Sequence, residues 1–257
     1  MFTASPGAFL VTSTLVSGEK DAILFDAQFT LAEAHRLAAM VLESKKNLKT
    51  IFITHGHPDH LLGLEVLKAQ FPKAEILTSP AALEEMKAAI PGKVAYWGPI
   101  YGANLTSAPV LPKAFAGDSL ELEGEKLELI TLQPGESEAA TAVWIPSIKT
   151  LIAGDLAYSN VHVWLADANA GRRDNWLASL AKVKALNPTT VIAGHEAPNA
   201  KRTPAVLDET AGYIKDFNAA VASSKTPEEV AKKITAKHGK RQLPVILDIA
   251  SKSAVKP

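Results

Sequence analysis

The sequence predicts a layered α/β fold, and three observations carry that expectation. Short β-branched runs alternate with segments of helical periodicity, the pattern of sheets covered by helices. A unit of strand, Asp, helix-bearing connection, strand and His occurs twice, first as "AILFDAQ" leading to "TIFITHGH" and again as "TLIAGDLA" leading to "TVIAGHEA". The spacings differ, 29 residues from Asp26 to His55 and 40 from Asp155 to His195, so this is a repeated unit and not a strict repeat. Third, 257 residues at 47% apolar content suffice for a large core, and no linker divides them, so residues 1–257 read as one domain.

Taken in order, "AFLVTSTLV" (8–16) and "AILF" (22–25), separated by the turn "SGEKD", read as a hairpin. From Thr30, Leu31, Ala34, Leu37, Ala38, Val41 and Leu42 share one helical face, with Thr30 and Glu33 as a capping box and His35 on the solvated side. "KTIFIT" is a buried strand, followed by a helix "LLGLEVLKAQF", a strand "AEILT" and a helix "PAALEEMKAAI" with Pro80 in its first turn. The stretch 91–117 is rich in Pro, Gly and aromatic residues and poorly periodic, which predicts a long, functional loop. Strands follow near 119–122, 126–132, 141–145 and 149–153, then a helix at 174–186 and a strand "TTVIA". The core spans about residues 8–200; from 203 to 257 the chain is a mostly helical extension in which Thr226 caps "PEEVAKKITAKH".

Composition narrows the function. Lys+Arg and Asp+Glu are equal at 27 each, so no net positive field draws nucleic acid or an anionic membrane, and a small-molecule substrate fits better. With no cysteine there is no disulfide framework, thiolate nucleophile or cysteine zinc site, and any metal falls to His, Asp and Glu. No apolar run reaches the length of a membrane span, and no basic-then-apolar leader opens the chain. The chain therefore reads as soluble, cytoplasmic as it stands or exported if a signal has been removed; oligomeric state is left open.

The chemistry is concentrated in "THGHPDH", where His55, His57, Asp59 and His60 follow directly on an apolar strand. Turns favour Gly, Asn, Asp and Ser for backbone reasons and have no use for three imidazoles. Metal ions do, since imidazole nitrogen and carboxylate oxygen are the usual ligands of zinc and other borderline divalent ions. Asp155 closes "KTLIAGD" and His195 closes "TTVIAGH", both at strand ends, where α/β proteins place functional groups.

The run His55-Gly56-His57-Pro58-Asp59-His60, followed by "QPGES", "AGD" and "AGH" in that order, resembles the metallo-β-lactamase-fold metallohydrolases over about residues 8–200. The resemblance implies a four-layer αββα sandwich of two similar halves and a dinuclear centre of two divalent metal ions, zinc first, with Mn2+ or Fe2+ as alternatives. It implies His55 and His57 on one metal, Asp59, His60 and His195 on the other, and Asp155 bridging. Where the family's usual "PGH" supplies a third histidine to the first metal, this chain has Pro134-Gly135-Glu136; Glu136 is itself a competent ligand.

The implied activity is hydrolysis, with a metal-bridging hydroxide attacking an acyl carbonyl (lactone, ester or thioester) or a β-lactam-like one, and Asp59 orienting the hydroxide. Within the resemblance, Asp155 favours the branch containing thioester, lactone and phosphodiester hydrolases, and the balanced charge argues against its nuclease members. Tyr96, Trp97, Tyr101, Tyr158, His162 and Trp164 are candidates for an apolar substrate wall, and core packing is the competing reading. Arg172 and Arg173 are read as solvated rather than as receptors for a substrate carboxylate, and His238 as a surface residue. Two other functions stay open: an iron-dependent redox enzyme of the same fold, against which His57 speaks because di-iron electron-transfer relatives typically carry glutamate there, and a non-catalytic metal-binding module.

Overall fold

Strand order in the first half of the chain follows sequence order. In the computed structural model, which describes residues 1–255, six strands line up as β1 (Phe2–Thr3), β2 (Thr12–Ser17), β3 (Asp21–Phe25), β4 (Asn47–Ile53), β5 (Glu75–Thr78) and β6 (Lys113–Ala114). The β1–β2 and β2–β3 pairs are antiparallel and the rest parallel, so the crossovers from β3 onward need intervening helices. These are α1 (Leu31–Glu43), α2 (Pro58–Leu61), α3 (Leu64–Gln70) and α4 (Pro80–Tyr101). Strands β7 (Ser119–Leu122), β8 (Glu125–Thr131) and β9 (Thr141–Ile145) then pair antiparallel.

The described chain forms two compact units interleaved in sequence: residues 1–131 with 139–148, and residues 132–138 with 149 onward. In the first, Ala34, Leu37 and Val41 of α1 are buried with Leu24 and Ile51 of the sheet and Leu64 and Leu67 of α3. Each such leucine contributes roughly 1.5–3 kcal/mol by leaving water. Leu42, expected on this face, is 53% exposed. Thr30 caps α1 by accepting from the Glu33 N–H at 3.3 Å, but the box is not closed, because Glu33 Oε1 accepts from the Ser5 N–H instead.

The second unit holds two parallel pairs, β10 (Thr150–Ile152) with β12 (Thr190–Ile192) and β11 (Tyr158–Ser159) with β13 (His195–Glu196). Its helices are α5 (Ala170–Lys184), α6 (Ala205–Ala222), α7 (Pro227–His238) and α8 (Pro244–Ala254), with Thr226 capping α7 as expected. The expected C-terminal extension is thus α6 to α8; its last two residues lie outside the described ones. Among the described residues, no helix is long and apolar enough to cross a membrane.

Two expectations are corrected here. The first strand of the expected hairpin, β2, begins at Thr12 and not at residue 8, because Pro6–Ala8 form a 3-10 turn and Phe9 and Leu10 take left-handed backbone conformations. The expected loop from 91 is helical to Tyr101, with Pro91 and Pro99 inside α4. Local chemistry disfavours helix there, but Ile90, Val94, Trp97 and Tyr101 recur at helical spacing and pack on the core of the first unit, so tertiary packing decides.

A carboxylate ties the β2–β3 turn to the β7–β8 hairpin. Glu123, itself left-handed at φ 52°, accepts from the backbone N–H groups of Glu19, Lys20 and Asp21 at 2.6, 2.6 and 2.7 Å. Those bonds hold its carboxyl below the usual carboxylate range. Because the folded pKa is depressed, this contribution is full above the unfolded value and is lost as pH falls through the folded one. Glu123→Gln is expected to lower Tm by a few degrees at neutral pH, and thermal melts should show the gap to wild type closing in acid.

Candidate metal centre

The candidate ligands divide between the two units. In the first, β4 ends at Ile53 and Thr54 delivers the chain into the motif, where Pro58 starts the short α2 with His57 as its N-cap residue. His55 and His60 are fully buried, Asp59 is 8% exposed and His57 is half-buried. His55 and His57 offer ligand atoms within 4.8 Å of each other, as do Asp59 and His60. The His55 ring centroid lies 4.9 Å from that of His57 and 4.3 Å from that of His60.

Asp26, at the end of β3, orients this group. Its Oδ1 accepts the Thr54 N–H at 2.8 Å, and its Oδ2 accepts the Thr54 hydroxyl at 2.9 Å and His60 Nδ1–H at 2.8 Å. Thr54 Oγ1 in turn lies 2.9 Å from His55 Nδ1, completing a relay from Asp26 to His55. With Nδ1 engaged on each ring, Nε2 becomes the ligand atom, the arrangement that metal-binding histidines require. The donor set therefore fits a borderline divalent ion.

Asp26 is placed by unusual backbone. Asp26 and Gln28 are left-handed at φ 62° and 74°, held by Asp26 N–H to Phe52 O, Ala27 N–H to His60 O and Gly63 N–H to Gln28 O. A Cβ on Gly63 would stand 2.1 Å from the Ala27 carbonyl oxygen, so only glycine lets this segment pass.

In the second unit, Glu136, Asp155 and His195 are 4%, 2% and 4% exposed. Glu136 and Asp155 offer oxygens within 4.8 Å of each other, and His195 Nε2 lies 3.2 Å from Asp155 Oδ2. A Cβ at residue 194 would fall 2.1 Å from Asp155 Oδ1, so Gly194 makes room for the carboxylate. The Glu136 segment is fixed from α5: Arg172 Nε donates to Gly135 O at 2.7 Å and Arg172 Nη1 to Glu138 at 2.9 Å, while the Gln133 N–H donates to Ser179 Oγ at 3.1 Å. Trp176, on the same helix, donates to Leu156 O at 2.9 Å, so one helix holds the surroundings of both carboxylates.

The aromatic candidates separate into three kinds. Tyr96 is 64% exposed on α4, whereas Trp97 and Tyr101 pack with Phe9 and Phe29, and the Tyr101 hydroxyl donates to Gly7 O at 2.7 Å. Burial and the Asp59 charge raise the Tyr101 pKa, and α4 packs on α2, which carries Asp59. Tyr158 and His162 are both buried with internal partners. The Tyr158 hydroxyl donates to Asp155 Oδ2 at 2.6 Å and its ring stacks on His195 at 4.9 Å, while His162 Nδ1 meets the Tyr213 hydroxyl at 2.8 Å. Burial, then the Arg241 and His238 charges, push the His162 pKa down to about 4, so it is neutral at pH 7. Trp164 is half-buried and donates to Asp167 at 2.7 Å.

Neither arginine is solvated as expected: Arg173 is buried, donates to Ala168 O and lies over the Phe217 ring. His238 is half-buried, 2.9 Å from Asp216. His35 is exposed, as read. Asp26, Thr54 and Gly194 escaped the sequence reading; the repeated strand-then-Asp unit was the one signal that pointed at Asp26.

The sequence profile of the metallo-beta-lactamase superfamily matches residues 6–195, and the chain belongs to that superfamily. Solved structures agree in fold. A metallo-beta-lactamase family protein from Thermus thermophilus superposes with a TM-score of 0.64 at 20% identity, covering 92% of this chain and 86% of that one. A metallo-beta-lactamase from Pontibacter korlensis gives 0.61 at 20% identity (79% and 86% covered), and the DIM-1 metallo-beta-lactamase exposed to ceftazidime 0.61 at 17% (80% and 84%). No curated protein matches the sequence. The α/β fold class expected from the sequence is the one found, and at superfamily level the family and the His/Asp cluster support a metal-dependent hydrolase.

Asp26→Asn keeps the size of the side chain while removing the charge and one acceptor, so both imidazoles lose their anchor. Its metal affinity, followed by competition with a chromophoric chelator, is expected to fall on the order of 10–100-fold with the far-UV spectrum unchanged. Wild-type affinity would make Asp26 a turn residue only.

Proposed function

We propose that the chain hydrolyses acyl carbonyl compounds, namely lactones, esters or thioesters, and that His55, His57, Asp59, His60, Glu136, Asp155 and His195 together hold two divalent ions. The observation that carries this reading is the anchoring of His55 and His60 through Nδ1 by Thr54 and Asp26, which serves ligation through Nε2. When bound, the ions would activate water and polarise the carbonyl. The protein's part is to place groups around that event. Asp59, in the first turn of α2, is the catalytic carboxylate that orients the attacking water and accepts its proton. Tyr158 keeps Asp155 turned by its 2.6 Å hydrogen bond and steadies the His195 ring by stacking. Trp97 and Tyr101 on α4 supply an apolar wall for the acyl part of the substrate, and the balanced charge of 27 cationic and 27 anionic residues suits a neutral or weakly anionic one.

Zinc is the first candidate ion on the three motif histidines, but Glu136 alters the balance. It adds a negative charge and a hard oxygen donor to a set already containing Asp59 and Asp155, which favours harder ions such as manganese relative to a site with histidine there.

Two experiments test this. Protein loaded with Zn2+ or Mn2+ is expected to hydrolyse at least one lactone, ester or thioester faster than β-lactams or phosphodiesters in a substrate panel, and to lose that activity on chelation; turnover of β-lactams alone would overturn the substrate class. Glu136→His should shift metal preference towards zinc and move the acidic limb of the pH-rate profile to lower pH, because a less negative site holds a less basic hydroxide. Identical preference and limbs in both proteins would remove Glu136 from the ligand set.

A further inference from the structure

The family profile ends at residue 195, yet the helices beyond it bind the segment that follows Asp155. Tyr158 N–H donates to Thr210 Oγ1 of α6 at 3.1 Å, and Thr210 Oγ1 lies 3.3 Å from Tyr158 O. Arg241, between α7 and α8, sends Nη1 to Val161 O at 2.9 Å and to Tyr158 O at 3.4 Å. The next residue extends the hold, with Gln242 N–H to Asn160 O at 2.8 Å and His162 N–H to Gln242 O at 3.0 Å. Tyr213 of α6 takes the His162 ring, and the Arg241 guanidinium lies over the Tyr213 ring at 5.2 Å. Every backbone group from Tyr158 to His162 named here meets a residue from α6 or from the α7–α8 connection.

Arg241 is the telling member. Its guanidinium is half-buried, and burial lowers its pKa. Its hydrogen-bond partners are three carbonyl oxygens, of Tyr158, Val161 and Glu209, and not a carboxylate. Desolvating a cation against neutral acceptors is costly, whereas a surface arginine that merely closed a helix end would stay in water. What the cost secures is the position of Tyr158, whose hydroxyl and ring meet Asp155 and His195.

We propose that the C-terminal helices are part of the metal centre's framework, with Thr210 and Arg241 as positioning residues that set Tyr158 and, through it, Asp155 and His195. This rests on the reading of Asp155 and His195 as metal ligands. Nη1 meets the Tyr158 and Val161 carbonyls while Nη2 of the same planar fork reaches Glu209 O, so lysine, with a single nitrogen on a flexible stem, should restore only part of the effect.

The test uses the full chain loaded with Co2+, whose visible bands report ligand geometry, and compares Thr210→Val, Arg241→Met, Arg241→Lys and Asp155→Asn. Thr210→Val and Arg241→Met are expected to weaken the more weakly held ion roughly tenfold, to shift the Co2+ bands, and to lower kcat more than they change KM, with Arg241→Lys intermediate. A lowered Tm with wild-type bands and affinity would overturn the proposal and leave the helices as plain scaffold. If Arg241→Met does not fold, the near-isosteric Thr210→Val decides by the same readouts. Asp155→Asn separates the two levels: if it retains both ions, the ligand reading fails, and if it loses one while the Thr210 and Arg241 variants behave as wild type, only this inference fails.

Discussion

The Asp26 carboxylate is the interaction on which the placement of the motif histidines depends. It is buried and takes three donors, the Thr54 N–H, the Thr54 hydroxyl and His60 Nδ1–H. A buried carboxylate with fewer partners would cost more than the fold could offset; with three it becomes a fixed point. From it the end of β4, the tautomer of His60 and, through Thr54, that of His55 are all set. The left-handed turn at Asp26 and the missing side chain at Gly63 are the backbone conditions for that placement.

The second unit meets the same need by different means. Asp155 also stands just after an apolar strand, but its orientation comes from the Tyr158 hydroxyl, from the stacking of Tyr158 on His195 and from the clearance at Gly194. Helix α5 then fixes the Glu136 segment through Arg172 and Ser179. The segment carrying Glu136 is thus held by side chains of α5, as the motif histidines are held by Asp26 and Thr54.

Legibility in the sequence tracked the range of the physics involved. His55, His57, Asp59 and His60 stood out because three imidazoles and a carboxylate fall within six positions, and Asp155 and His195 because an apolar strand ends at each. The role of Asp26 did not, since its partner Thr54 lies 28 residues away and threonine in a strand is unremarkable by type. The helix over Pro91 and Pro99 was missed because local propensity and long-range packing disagree there, and packing on the core prevailed. Tyr158 and His162 read as substrate contacts by residue type, and only the fold shows that both are buried, Tyr158 against Asp155 and His162 against Tyr213.

The proposed centre draws on seven side chains, four within residues 55–60 and three within residues 136–195, for two ions. Elemental analysis of protein loaded to saturation and freed of excess metal tests it most directly. The account predicts two equivalents of divalent metal per chain. A reproducible single equivalent accompanied by full hydrolytic turnover would contradict it.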